Sequence, residues 1–163
     1  MKRTGKLSHV DQSGNPQMVD VSGKEITKRM ARARAIVHVG PEILDQITNN
    51  ELITKKGPVF QTAIIAGVMG AKKTAELIPF CHPLSLEDCQ VKITLENNRI
   101  HILSSVTITS KTGVEMEALT AASIAALTIY DMCKALSHDI VIEEITLLEK
   151  TGGKKDFKRK SNV

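Results

Sequence analysis

The sequence predicts an α+β domain, a ferredoxin-like split βαβ sandwich in which helices cover one face of an antiparallel sheet and an extra helix enters the first crossover. Three observations carry that prediction. Alternating and helical stretches follow one another in the order β, α, β, β, α, β. Two of the alternating stretches meet at Asn97 and Asn98, a hairpin signal. One helical stretch, VEMEALTAASIAALTIYDMCKAL, is apolar or small on nearly every face and must be buried on several sides. A single helix layer on a small sheet cannot cover it, so the domain is expected to be oligomeric.

Taken in order, the first thirty residues are polar and turn-rich, with a turn at Ser13 to Pro16 and a short edge strand at Met18 to Val21. Residues 1–17 are expected to form a flexible arm, loosely held or used in assembly. The β-branched run from Arg34 to Val39 predicts a strand, and Pro41 opens a helix through about Asn49. After a break at Lys55 to Pro58, a second helix runs from Phe60 to Leu77, with Ala63, Ile64, Gly67, Val68 and Ala71 on one stripe. Pro79 stops it, and Pro83 keeps the following residues extended. Val91 to Leu95 and Ile100 to Ile108 form the hairpin, a long helix spans Val114 to Leu136, and a strand from Ile140 to Leu148 closes the pattern. No repeat and no linker divides the chain, so residues 18–156 are expected to be one catalytic domain and residues 157–163 a solvated basic tail.

Composition narrows the function classes. With one Tyr, three Phe and no Trp, the core must be built from aliphatic and small side chains, and few flat surfaces remain for stacking bases. RNA binding by the sheet is therefore disfavoured. Three cysteines at irregular spacing, without a charged-then-apolar leader, suggest a reduced cytoplasmic setting. Val114 to Leu136, the stretch nearest to a bilayer span, is interrupted by Glu115, Glu117, Asp131 and Lys134, so no membrane partner is expected. The net charge of +4 owes much to the two ends, which hold three basic residues in Met1 to Lys6 and five in Lys154 to Lys160.

Several constellations can carry chemistry. Asp131 and Lys134 stand three apart on one helix face, a spacing that suits an ordinary ion pair or an acid–base pair. Glu115 and Glu117 in the first turn of that helix either complement its dipole or hold a guanine edge. Pro79 and Pro83 flank Cys81 and His82 in a stiff corner that fixes the imidazole, as a structural histidine or as a ligand contact. The cysteine and histidine spacings do not match a zinc site, and no metal ligand set is expected. KKGP at Lys55 to Pro58 and KTGGKK at Lys150 to Lys155 are basic glycine loops, solubilising or able to cradle phosphate. SKTG lacks the upstream glycine of a Walker loop. Jointly these features describe a pocket for a small polyanion, either an enzyme site or a regulatory module that binds without turnover.

The stretches FQTAIIAGVMGAKKTAELIPFCHPL and KTGVEMEALTAASIAALTIYDMCKAL resemble the two signature regions of the MoaC family, LLEKTGGK resembles a third, and MVDVS extends the likeness over nearly the whole chain. That resemblance implies a homohexamer, a trimer of dimers with each active site at a dimer interface. It implies conversion of 3′,8-cyclo-7,8-dihydroguanosine triphosphate to cyclic pyranopterin monophosphate with loss of pyrophosphate. It also implies Asp131, Lys134 and Lys56 as catalytic residues, and Phe80, Cys81, His82, Glu115, Met116, Glu117, Lys150 and Lys154 as substrate-binding residues. The implied partner is a small GTP-derived molecule rather than nucleic acid, no cofactor is required, and a divalent cation is compatible with the chemistry.

Overall fold

Thr27–His38 forms the central strand β1 of a five-stranded antiparallel sheet in the computed structural model, which describes residues 10–11 and 13–160. Residues 1–6, with their basic cluster, and residues 161–163 lie outside that range. After β1 come α1 (Pro41–Leu44), the short strands β2 (Ile53–Thr54) and β3 (Gly57–Pro58), α2 (Val59–Lys72) and α3 (Thr74–Leu77). Then follow β4 (Asp88–Glu96), β5 (Arg99–Ser110), α4 (Glu115–Cys133), β6 (Val141–Thr151) and β7 (Phe157–Lys158). The sheet order is β4-β5-β1-β6-β7, while β2 and β3 form a separate hairpin.

β1 starts well before the expected Arg34. Ala31, Ala33, Ala35 and Val37 are fully buried and alternate with Arg32 and Arg34, so the period-two pattern is present, but alanine is a poor strand former and hides it. The β4–β5 hairpin turns at Asn97 and Asn98, whose φ values of 51° and 59° are the left-handed pair that such a turn requires. Ile100, Ile102, Val106 and Ile108 point inward from β5. Ser104 among them is satisfied by donating to the carbonyl oxygens of Ala118 (2.7 Å) and Ala33 (3.3 Å), which ties the sheet to α4.

The other departures from the sequence reading have local causes. Met18 to Val21 forms no strand; the Asp20 carboxylate accepts the Ser22 N–H at 2.8 Å, an Asx turn that bends the chain. The first helix stops at Leu44 rather than Asn49, because Thr48 and Glu51 bridge around Asn49 and Asn50, both at positive φ. The second helix divides at Lys73, beside the buried Thr74 hydroxyl, which donates to the Ala71 carbonyl and competes with the backbone ladder. α4 ends at Cys133, short of Leu136, and β6 continues past Leu148 to Thr151. Beyond Asp156, in the stretch expected to be a solvated tail, residues 157–160 are exposed, while Phe157 and Lys158 pair with Lys150 and Glu149, and Arg159 stacks on the Phe157 ring at 5.7 Å.

α4 lies across β1, β5 and β6, and α2 packs beside it through small residues. A Cβ at Gly67 would meet the Ala121 carbonyl oxygen at 2.9 Å, and one at Gly70 would meet Ile124 Cγ1 at 2.7 Å. This close approach covers much of α4 within one protomer, contrary to the view that a single helix layer would leave it bare. Fully buried Ile43, Ile100, Ile102 and Ile129 fill the centre, each burial worth about 1.5–3 kcal/mol. Leu127 on α4 and Ile65 and Met69 on α2 nevertheless remain exposed. No described helix is long and apolar enough to cross a membrane.

Candidate active site

The sequence-derived site residues fall into two groups at opposite ends of α4. At its C-terminal end Asp131 stands between two ammonium groups: Lys134 Nζ lies 2.7 Å from Oδ1, and Lys56 Nζ lies 2.7 Å from Oδ2. Lys56 Nζ also donates to the Asp131 carbonyl oxygen at 2.9 Å. Lys56, rather than its neighbour Lys55, makes this contact because the β2–β3 hairpin turns tightly. Gly57 supplies φ 110°, and the Lys56 N–H donates to Thr54 Oγ1 at 3.2 Å. The hairpin feeds directly into α2, whose first turn is capped from a distance by Glu51; its carboxylate accepts the N–H groups of Phe60 (2.8 Å) and Gln61 (3.1 Å).

This trio is about half exposed, and pairing shifts the titration of Asp131 and Lys134. Hydrogen bonds from Lys134 and then Lys56 hold the Asp131 carboxyl down to about 2, and Asp131 in return raises the Lys134 pKa. At neutral pH Asp131 is a carboxylate that orients the side chains of Lys134 and Lys56. Tyr130, the preceding residue, is half-buried against the core, and its carbonyl accepts the Lys134 N–H at 2.9 Å.

At the other end of α4 a cavity of about 1100 Å³ is lined by all eight predicted substrate-binding residues, Phe80, Cys81, His82, Glu115, Met116, Glu117, Lys150 and Lys154. Lys150 Nζ contacts Glu115 Oε1 at 2.7 Å. Glu117 is almost fully buried, and that desolvation, with a smaller push from Glu115, raises its carboxyl to about 7. Burial, and then Glu117, push the Cys81 thiol up as well. Cys89 and Cys133 are also free thiols, raised to about 11, foremost by burial, and so are poor nucleophiles at neutral pH.

The loop after β6 is shaped by glycine. Gly152 has φ 81°, and a Cβ there would lie 1.9 Å from the Lys28 carbonyl oxygen, so only glycine lets the strand end fold onto β1. Its N–H donates to Asp156 Oδ1 at 3.1 Å, while its carbonyl accepts the Thr27 hydroxyl at 2.7 Å. The loop thereby presents Lys154 and Lys155 to the cavity.

Sequence reasoning did not single out three further cations of the lining, Lys24, Arg29 and Lys111. Lys111 is the lysine of SKTG, legible only as a failed Walker loop. Arg29 sits in the unrecognised start of β1, where its guanidinium donates to the carbonyls of Ser110 (3.3 Å) and Lys111 (3.2 Å). Six Lys and Arg side chains thus face three glutamates in the cavity, a balance suited to a polyphosphate attached to a polar ring. Among the described residues, no group of three or more His, Cys, Asp or Glu is arranged to hold a metal.

Glu115 and Asp131 are separated by sixteen residues of α4, roughly 24 Å along its axis. Within one protomer the ammonium–carboxylate trio and the cationic cavity are distinct places.

Fold and cavity define an α+β protein with a cation-rich pocket beside a set of hydrogen-bonding groups. A profile described as the MoaC family matches residues 18–153. The chain is 53% identical over 156 residues to a Drosophila melanogaster protein called molybdenum cofactor biosynthesis protein 1, an alignment covering 94% of this chain and 27% of that one. A Dictyostelium discoideum protein of the same name is 47% identical over 167 aligned positions, covering 91% of this chain and 26% of its own length. This chain belongs to the MoaC family. It spans about a quarter of the length of these two relatives.

Proposed function

We propose that this chain is a cyclic pyranopterin monophosphate synthase of molybdenum cofactor biosynthesis, a lyase acting on 3′,8-cyclo-7,8-dihydroguanosine triphosphate. The observation that carries the reading is the cavity: a family match over residues 18–153 coincides with a basic pocket in which every expected substrate-binding side chain converges. Lys150, Lys154 and the neighbouring cations receive the triphosphate, and Glu117 meets the N–H edge of the purine.

The reaction opens the five-membered purine ring and closes the pterin and pyran rings. It then forms a cyclic phosphate, in which a sugar hydroxyl oxygen bonds to the α-phosphorus while the bond to the β-phosphate breaks. Pyrophosphate leaves with that electron pair, and the cavity lysines stabilise its charge. Proton movements on nitrogen and oxygen need a group that gives and then takes a proton. Lys134 is the donor, held charged by Asp131; once deprotonated, it is the base for the hydroxyl proton, while Lys56 keeps Asp131 ionised and in place. The chemistry needs no resident cofactor and leaves room for a divalent cation on the phosphates.

The same reading accounts for the split site. A homohexamer of ferredoxin-like subunits, arranged as a trimer of dimers, would bring the trio of one copy to the cavity of another across a two-fold axis. The roughly 24 Å between the two groups, the strand order β4-β5-β1-β6, and exposed Ile65, Met69 and Leu127 support that arrangement. We place the reaction in the cytoplasm, without a nucleic-acid or membrane partner.

The test is pyrophosphate release from the cyclised nucleotide, with product identified by mass and an Asp131→Asn protein as control. Turnover to the cyclic pyranopterin that falls at least about a hundredfold in the control supports the reading. Tight binding without turnover would instead identify a regulatory polyanion module.

A further inference from the structure

The segment that lines the cavity just before β1 is tied to the domain by few bonds. Val19, Val21, Gly23, Lys24 and Glu25 line the cavity, yet this stretch belongs to no helix or strand, and Ile26 at its end is 64% exposed. Its internal bonds are two short turns: Ser22 N–H to Asp20 Oδ1 at 2.8 Å, and Lys24 N–H to the Val21 carbonyl at 3.1 Å. Among the described residues, one hydrogen bond joins it to the body of the domain, from Lys111 Nζ to the Ser22 carbonyl oxygen at 2.6 Å. Lys111 is in turn held by its own backbone, since its carbonyl accepts from the Arg29 guanidinium at 3.2 Å.

We propose that residues 19–25 are a strap latched over the cavity by Lys111, and that a phosphate-bearing ligand closes it by engaging the same ammonium group. The inference rests on the function proposed above only in taking the cavity's ligand to be a polyphosphate. An ammonium has three donors and accepts nothing. One is committed to Ser22, and the Lys111 side chain already lines the cavity, so a phosphate oxygen there takes a second donor without releasing the first. A charge-assisted bond to phosphate is about twice as strong as a neutral one. It fixes the side chain, and the strap that hangs from it loses freedom. Lys24, carried on the strap, then brings a further positive charge over the ligand. Lys111 is thus a positioning residue that acts through the strap rather than on the reacting atoms.

Hydrogen exchange of the intact assembly, followed on the peptide covering residues 18–26 with and without inorganic tripolyphosphate, tests this directly. In the unaltered protein tripolyphosphate is expected to slow exchange there about tenfold. Lys111→Met should lose that slowing while the segment around Lys150 to Lys155 keeps its own, and Lys111→Arg should restore most of it. In turnover assays Lys111→Met should raise KM far more than it lowers kcat. Unchanged strap protection in Lys111→Met, or a strap that exchanges faster with tripolyphosphate bound, would overturn the proposal. Because tripolyphosphate cannot undergo the pterin-forming reaction, failure of the latch and failure of the proposed synthase activity give separate results.

Discussion

Glu117 and Asp131 release their protons at widely separated pH, because one is buried with no ion-pair partner and the other lies between two ammonium groups. Burial raises Glu117 to about 7, above its unfolded value near 4.3, so the folded protein binds the extra proton between those limits. Its contribution to stability is whole below about pH 4 and is lost as pH rises through about 7. Glu117→Gln, which keeps the shape of the protonated acid, should therefore be more favourable relative to the parent at pH 8 than at pH 5, by about 1–3 kcal/mol in urea unfolding at fixed protein concentration. Asp131 behaves in the reverse sense: what its depressed pKa contributes is present above the unfolded value and is lost as pH falls toward 2. Spacing alone made Asp131 and Lys134 legible as a pair. Lys56 came only from family resemblance, since nothing local says that a hairpin lysine will cross to a helix end, and Arg29 stayed hidden in a strand whose alanines do not announce one.

The elements that carry the site are shaped by small residues as much as by large ones. Gly152 is the sharpest case, with a positive φ and no room for a Cβ against Lys28. Gly152→Ala should destabilise the protein by about 2–4 kcal/mol, seen as a lowered unfolding midpoint. Even where the variant folds, displacement of Lys154 should raise KM. The hairpin at Asn97 and Asn98, the order of the principal elements and the span of α4 to within a few residues were all written in periodicity and turn residues. The start of β1, the division between α2 and α3 and the pairing of β7 were not. In each of those places a side-chain hydrogen bond, a bulge or a distant strand overrides what the local residues prefer.

At the scale of the molecule, composition correctly implied an aliphatic core, whereas the apolar helix that was the argument for assembly is largely covered by α2 within one protomer. The spacing of Glu115 and Asp131 already put the two halves of the predicted site at opposite ends of that helix; the structure adds that no loop folds back to join them within one protomer. Mixing makes the point measurable. Asp131→Asn and Lys150→Glu proteins, each inactive alone, should regain about a quarter of parental activity after denaturation and co-refolding in equal amounts. That fraction arises because half of the dimers are mixed and one of their two sites is intact. Recovery of nothing would put both groups of residues to work within one chain. The C-terminal end of α4 also carries its own lamp. Tyr130 is the only tyrosine of a chain that has no tryptophan, and it precedes Asp131 on the last turn of α4. Its ultraviolet emission is neither masked nor drained by an indole on the same chain, so the arrival of a nucleotide or of a second protomer at that helix end becomes visible as a change in brightness, without a dye.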